Sequence, residues 1–286
     1  MNFAQRKIKV SETDINLVIG GSGEPVLLLH GYPQTHFCWH SVAPILAEKF
    51  TVVCADLRGC GDSGKPPSDA NHFAYSKRVM AKDQVEAMRN LGFDKFAVAG
   101  HDRGARVAHR LVLDHAENVT KLALLDIIPT KTAFEKVNQE IATAAYNWFM
   151  AIQPDGLPEK LIGSNASFFL NYCLKHWADE NFAFAPEAIA EYERSFTEEM
   201  IRATNEEFRA AATIDLEHDA ADENKKIGCP VLVLWSAKSM WAKFDVLEIW
   251  QGKAEKVEGK SFNCGHFLPE EKPQKTADEL LKFLSV

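Results

Sequence analysis

The chain of 286 residues carries 32 Lys and Arg against 40 Asp and Glu, a formal charge of −8, with 46% hydrophobic and 25% charged residues. Such a composition excludes disordered, collagenous and fibrous classes, and the lack of basic runs removes nucleic acid as an expected partner. Nothing approaches the roughly 20 apolar residues of a membrane span, and Met1 to Val10 has no apolar leader, so a soluble cytoplasmic protein is expected, with six scattered cysteines as reduced thiols rather than disulfides or a zinc site.

In chain order, residues 7–19 alternate polar and apolar, Gly20 to Gly23 read as a turn, and Pro25 to His30 (PVLLLH) is a short apolar run suited to a buried parallel strand. A helix is expected over 39–48, a second strand at Phe50 to Ala55, and a loop at Asp56 to Ser63. Tyr75 to Leu91 has amphipathic helical spacing, followed by a strand at Phe96 to Gly100, a helix at Arg106 to His115 and a strand at Lys121 to Ile128. Alternating strands and helices predict a mostly parallel sheet with helical crossovers. After Pro129 the texture changes: residues 130–212 hold 13 of the 29 aromatic residues, and the β-rich runs stop. That stretch is expected to be a helical cap inserted into one core made of 1–129 and 213–286. A strand resumes at Pro230 to Trp235, and Thr276 to Leu284 closes the chain as a helix; no internal repeat is found.

Gly100, His101, Asp102, Arg103 and Gly104 lie between an expected strand and an expected helix, with the spacing of a nucleophile elbow and Asp at its centre. A carboxylate there stands above the sheet at a helix N-terminus, which favours negative charge, although Asp is also a common helix cap. The strand ending at His30 and Gly31 can supply the backbone N–H of Tyr32 to an oxyanion hole, with the N–H of Arg103 as second donor. His266, after the last strand, falls at the carboxyl edge of the sheet. Arg103 and Arg106 are three positions apart at the start of one helix and can aim forked donors at one small carboxylate, or pair with acids on the helix surface.

The strings HGYPQTHFCWH (30–40), ADLRGCGDS (55–63), GHDRGAR (100–106), LLDIIPT (124–130), AAATIDLEHD (210–219) and CGHFLPEE (264–271) resemble the fluoroacetate dehalogenase group of α/β-hydrolases nearly end to end. The resemblance implies an α/β-hydrolase fold with a helical cap, no metal or organic cofactor, a small-molecule haloacid substrate and a homodimer. It also implies Asp102 as nucleophile, His266 as the base that activates water, Asp126 as its acid, and Arg103 with Arg106 as the carboxylate site. Asp245 and Glu248, after the strand PVLVLW, are rival partners for His266.

Where fluoride-removing relatives place His, Trp and Tyr around the halogen, this chain has Asn147, Trp148 and Phe208. Phe208 has no hydroxyl, so the halide pocket is weaker and chloride or bromide is expected to leave more readily than fluoride. An epoxide hydrolase using the same Asp, His and Asp with cap tyrosines Tyr146, Tyr172 or Tyr192 is the alternative, against which two unpaired cations beside a neutral substrate would count. A non-catalytic ligand-binding module on the same scaffold is more distant. His101 adjoins the nucleophile without an assigned role, Asp56 and Arg58 are expected to organise their loop, and Asp215, Glu217, His218 and Asp219 are expected to solvate a surface rather than bind metal.

Overall fold

The computed structural model describes residues 3–285. Eight strands, β1 (Ala4–Lys9), β2 (Asp14–Gly21), β3 (Pro25–Leu29), β4 (Thr51–Ala55), β5 (Phe96–His101), β6 (Val119–Leu125), β7 (Val231–Ser236) and β8 (Val257–Phe262), form one sheet in the order β1-β2-β4-β3-β5-β6-β7-β8. β2 pairs antiparallel with β1 and β4, and every other pair is parallel. The protein therefore has the α/β fold that the alternation of strands and helices predicted. The central strands read as continuous apolar runs because helices cover both faces: Val26, Leu27, Leu28 and Leu29 are each at most 1% exposed. The helices Lys77–Asn90 and Arg103–Asp114 pack against each other beside this sheet.

Three local expectations change. The alternating stretch 7–19 is a hairpin, β1 and β2, turning at residues 11–13 with Lys9 opposite Asp14. The helix expected over 39–48 is a 3₁₀ turn, His36–Trp39, and a single α turn, Ala43–Leu46, because Pro44 lacks an N–H and fits only a first turn. β8 was not anticipated: it is an edge strand whose residues are mostly half-buried or exposed, including Glu258 and Lys260, so it has no apolar run.

Between β6 and β7 the described chain forms eight helices, from Thr130–Glu135 to Ile214–Ala221. They lie at the carboxyl end of the parallel strands, where open α/β sheets bind ligands. No helix among the described residues is long and apolar enough to cross a membrane.

Candidate active site

β5 ends at His101 and the helix Arg103–Asp114 starts two residues later, leaving Asp102 at φ 45° and ψ −115°. A non-glycine residue holds so unusual a backbone only where its surroundings enforce it. Two glycines make room for it. A Cβ on Gly104 would lie 2.4 Å from the His30 carbonyl oxygen, and one on Gly31 would lie 2.7 Å from Asp102 Cβ. The first loop can therefore close over the nucleophile position, and the Tyr32 N–H donates to Asp102 Oδ2 at 3.0 Å. Arg103 opens its helix, so its N–H has no intrahelical carbonyl partner.

His266 Nδ1 lies 2.6 Å from Asp126 Oδ2, and its Nε2 is 4.0 Å from Asp102 Oδ2. Asp126, fully buried just beyond β6, accepts at Oδ1 from the Ser236 N–H and the Ser239 hydroxyl, each at 2.9 Å. With Oδ1 so occupied, Oδ2 is turned to His266 Nδ1, which carries a proton in that arrangement and leaves Nε2 facing Asp102. The rival acid Asp245 instead caps the helix Val246–Gln251 by accepting from the Glu248 N–H at 2.9 Å.

Burial disfavours charge on His266, but the hydrogen bond and negative charge of Asp126 outweigh it, and its pKa lies above the ordinary histidine value. Burial likewise opposes charge on Asp102, yet His266, Arg103 and Arg106 hold its carboxyl below the ordinary value. His101 lies against the His266 ring, 4.6 Å between centroids, and burial with the adjacent imidazole lowers its pKa to about 4. Neutral His101 can donate from Nε2 to the His266 carbonyl oxygen at 2.8 Å.

A cavity of about 320 Å³ opens beside Asp102 between the sheet edge and the helices that follow β6, with His266, Asn147, Trp148, Phe208 and Tyr32 in its wall. All the expected nucleophile, base, acid and halide-facing positions thus converge on one space. Arg103 and Arg106 are not in its wall but stand against two residues that are, Phe208 and Trp148. Arg103 forms a buried pair with Glu207, Nε and Nη2 lying 2.7 and 2.6 Å from Oε2, and stacks 4.3 Å from the Phe208 ring centroid. Two guanidiniums free to share one carboxylate were expected; at Arg103 this is corrected, because Glu207, on the helix Glu198–Ala211, occupies its fork. Arg106 spends Nη1 on the Ile128 carbonyl and Thr130 hydroxyl, each at 3.1 Å, while its buried Nε and Nη2 bond no atom among the described residues. Its guanidinium lies 4.9 Å from the Trp148 ring centroid, and burial with the neighbouring Arg103 lowers its pKa to about 10, still charged at neutral pH.

Of the cap tyrosines, Tyr146 and Tyr172 line the cavity, whereas Tyr192 is fully buried elsewhere and its hydroxyl accepts from Gln34 at 3.2 Å. Asp56 accepts from the N–H groups of His36 and Asp62 at 2.8 and 3.0 Å, while Arg58 pairs with Asp83 at 2.7 Å. Asp215 and Asp219 are engaged by Lys77 and Arg110, fastening Ile214–Ala221 to the core helices. Sequence reasoning passed over Ser236, Ser239 and Glu207. The two serines sit directly after the strand PVLVLW, a position from which a loop reaches the carboxyl edge of the sheet, but Glu207 gave no local sign of its partner.

A catalytic-type carboxylate on a strand-to-helix elbow, with a histidine and a second carboxylate at the ends of later strands, defines an α/β hydrolase. The alpha/beta hydrolase fold family matches residues 24–273, and the chain belongs to it. The chain is 43% identical to fluoroacetate dehalogenase from Burkholderia sp over 99% of its own length and 94% of that protein. It is also 36% identical to the soluble epoxide hydrolase of Corynebacterium sp. (strain C12), covering 95% and 93% of the two chains. A crystal structure from Nostoc sp PCC 7120, assigned to the alpha/beta hydrolases, superposes with a TM-score of 0.98 at 56% identity over 99% of this chain and 98% of that one.

Proposed function

We propose that the protein is a hydrolytic dehalogenase of short 2-haloacids, with residues 130–212 acting as a cap over a core of 1–129 and 213–286. Asp102 attacks the halogen-bearing carbon, the carbon–halogen bond breaks with its electron pair on the halide, and an ester joins Asp102 to the acid. His266 then takes a proton from water, whose oxygen adds to the ester carbonyl carbon while the Tyr32 and Arg103 N–H groups hold the oxyanion. Protonation of the departing alkoxide by His266 releases the 2-hydroxy acid and restores Asp102. Asp126 orients the imidazole throughout.

One observation carries the acid substrate: Arg106, buried behind Trp148 with two uncommitted donors, is a cation that a carboxylate would complete. Arg103 shares Glu207 with Lys77 and still favours the negative charge of Asp102 from its place against Phe208. The 43% identity to a fluoroacetate dehalogenase supports the same reading. Halide release should be measured with fluoro-, chloro- and bromoacetate beside a panel of small epoxides. Halide from chloro- and bromoacetate with no diol is the expected result; diol formation without halide overturns it.

Epoxide hydrolysis is the second reading. Tyr146 and Tyr172 in the cavity wall can donate to an epoxide oxygen, and the pairing of Arg103 leaves one uncommitted cation rather than two beside a neutral substrate.

A further inference from the structure

The loop that carries His266 is fastened by a single carboxylate. Glu271 Oε1 accepts from the Phe267 N–H at 2.9 Å, and Oε2 accepts from the Gly265 N–H at 2.6 Å. The two backbone groups flanking His266 therefore end on one side chain. Oε2 also accepts from the Asp179 N–H at 3.0 Å, immediately beyond the cap helix Ala166–Trp177. The joint is continued by His266 itself, whose N–H donates to the Trp177 carbonyl oxygen at 2.7 Å, and by Lys238, which pairs with Asp179.

Three backbone donors on one buried carboxylate are strong, charge-assisted hydrogen bonds. Here they fix the path of the chain on both sides of His266 and set it against the cap. The imidazole has its own constraint from Asp126, but that bond at Nδ1 lets the ring pivot unless the backbone beneath it is held. A displacement of about 1 Å in a catalytic group is enough to cost on the order of a hundredfold in rate.

We infer that Glu271 is a positioning residue that clamps the His266 loop to the cap segment at 177–179, and so holds Nε2 at the distance from Asp102 needed for ester hydrolysis. This rests on the covalent reading above, and it assigns Glu271 to the second half-reaction alone. Attack by Asp102 on the substrate carbon does not use His266 and should tolerate a shifted loop.

The test uses the whole enzyme with chloroacetate, and in parallel propylene oxide, in single-turnover and steady-state formats. Halide burst or ring opening, the mass adduct on the peptide containing Asp102, and its decay are followed together. Glu271→Gln keeps the volume but turns an amide NH₂ toward backbone N–H donors; Glu271→Ser leaves space for water to satisfy the three N–H groups if the first variant does not fold. Both should form the adduct at nearly the wild-type rate and hydrolyse it on the order of a hundredfold more slowly. If formation and decay fall by the same factor, or neither changes, Glu271 is structural only and the inference fails. His266→Gln runs alongside: if it accumulates no adduct from either substrate, the covalent reading itself fails, and the assignment of Glu271 falls with it.

Discussion

Asp102 and His266 are coupled through charge, and the coupling changes during the proposed cycle. Both Asp126 and Asp102 raise the pKa of His266 against the effect of burial. Conversion of Asp102 to an ester removes one of these anions, so the imidazole gives up its proton more readily at the stage where it must act as a base. Ester hydrolysis should therefore increase as pH rises through the His266 pKa of the ester form, which lies below that of the free enzyme. Pre-steady-state decay of the adduct measured against pH checks this; an inflection unchanged between free enzyme and ester would refute the coupling. Asp126→Asn should lower the rate of adduct decay by as much as about 10⁴, the effect seen when a triad acid is replaced by its amide. At the halide end, Asn147→His combined with Phe208→Tyr should raise fluoride release more than chloride release, by an order of magnitude or more, because fluoride depends most on donors to its developing charge. Equal gains for both halides would mean that these positions do not contact the leaving group.

The site elements differ in how much of themselves they disclose in sequence. Asp102 and Asp126 follow the ends of β5 and β6, central strands covered on both faces whose apolar runs locate those ends directly, whereas His266 follows the edge strand β8 and was legible only from the string CGHFLPEE around it. β8 and the β1–β2 hairpin carry polar residues on exposed faces and lack that signature. The Arg103–Glu207 pair was illegible because its members are 104 positions apart and neither element carries a local sign of the other. The same is true of a second joint between cap and core, where Glu270 on the turn Leu268–Glu271 meets Gln34 and Tyr192 of the helix Pro186–Ser195. Burial raises the Glu270 pKa to about 8, against smaller opposing effects from its hydrogen bonds to Tyr192 and Gln34. Since the folded pKa is raised, the folded state binds the extra proton, and this contribution to stability is complete below the ordinary Glu range and disappears as pH climbs through about 8. Urea unfolding should show stability falling from pH 6 to pH 9, and Glu270→Gln, which cannot ionise, should flatten that slope. A slope identical in the variant would place the proton elsewhere.

At the scale of the whole molecule, the sheet edge and the helices between β6 and β7 together set the size of ligand the cavity holds. The cavity between them is about 320 Å³, and beyond the halide-facing residues its wall includes Tyr146, Tyr172, Trp177, Met240 and Trp241. A haloacetate has five non-hydrogen atoms. Since one water occupies about 30 Å³ in the liquid, the space accommodates roughly twice that number. Thr143, His176, Lys238 and Ser239 add polar groups to that wall, but against its aromatic part burying a methylene is worth about 0.8 kcal/mol, or roughly fourfold in affinity. Under the proposed haloacid reading Arg106, against Trp148, holds the carboxylate end, so a longer acid would keep its anchor while its tail fills the rest of the cavity. Acetate, butyrate and phenylacetate, which carry no leaving group, separate this binding effect from the steric retardation that a substituent imposes on displacement at carbon. As competitive inhibitors of chloroacetate turnover they should show inhibition constants falling in that order, with roughly a tenfold or greater gain from acetate to butyrate for two added methylenes. Trp241→Ala should erase much of the gain for phenylacetate and weaken acetate less, because Trp241 bears on the proposed carboxylate site only through Trp148, the ring against Arg106. Inhibition constants that stay level or rise with size would mean that the cap closes on the substrate and that the open volume belongs to the entrance rather than to the bound acid.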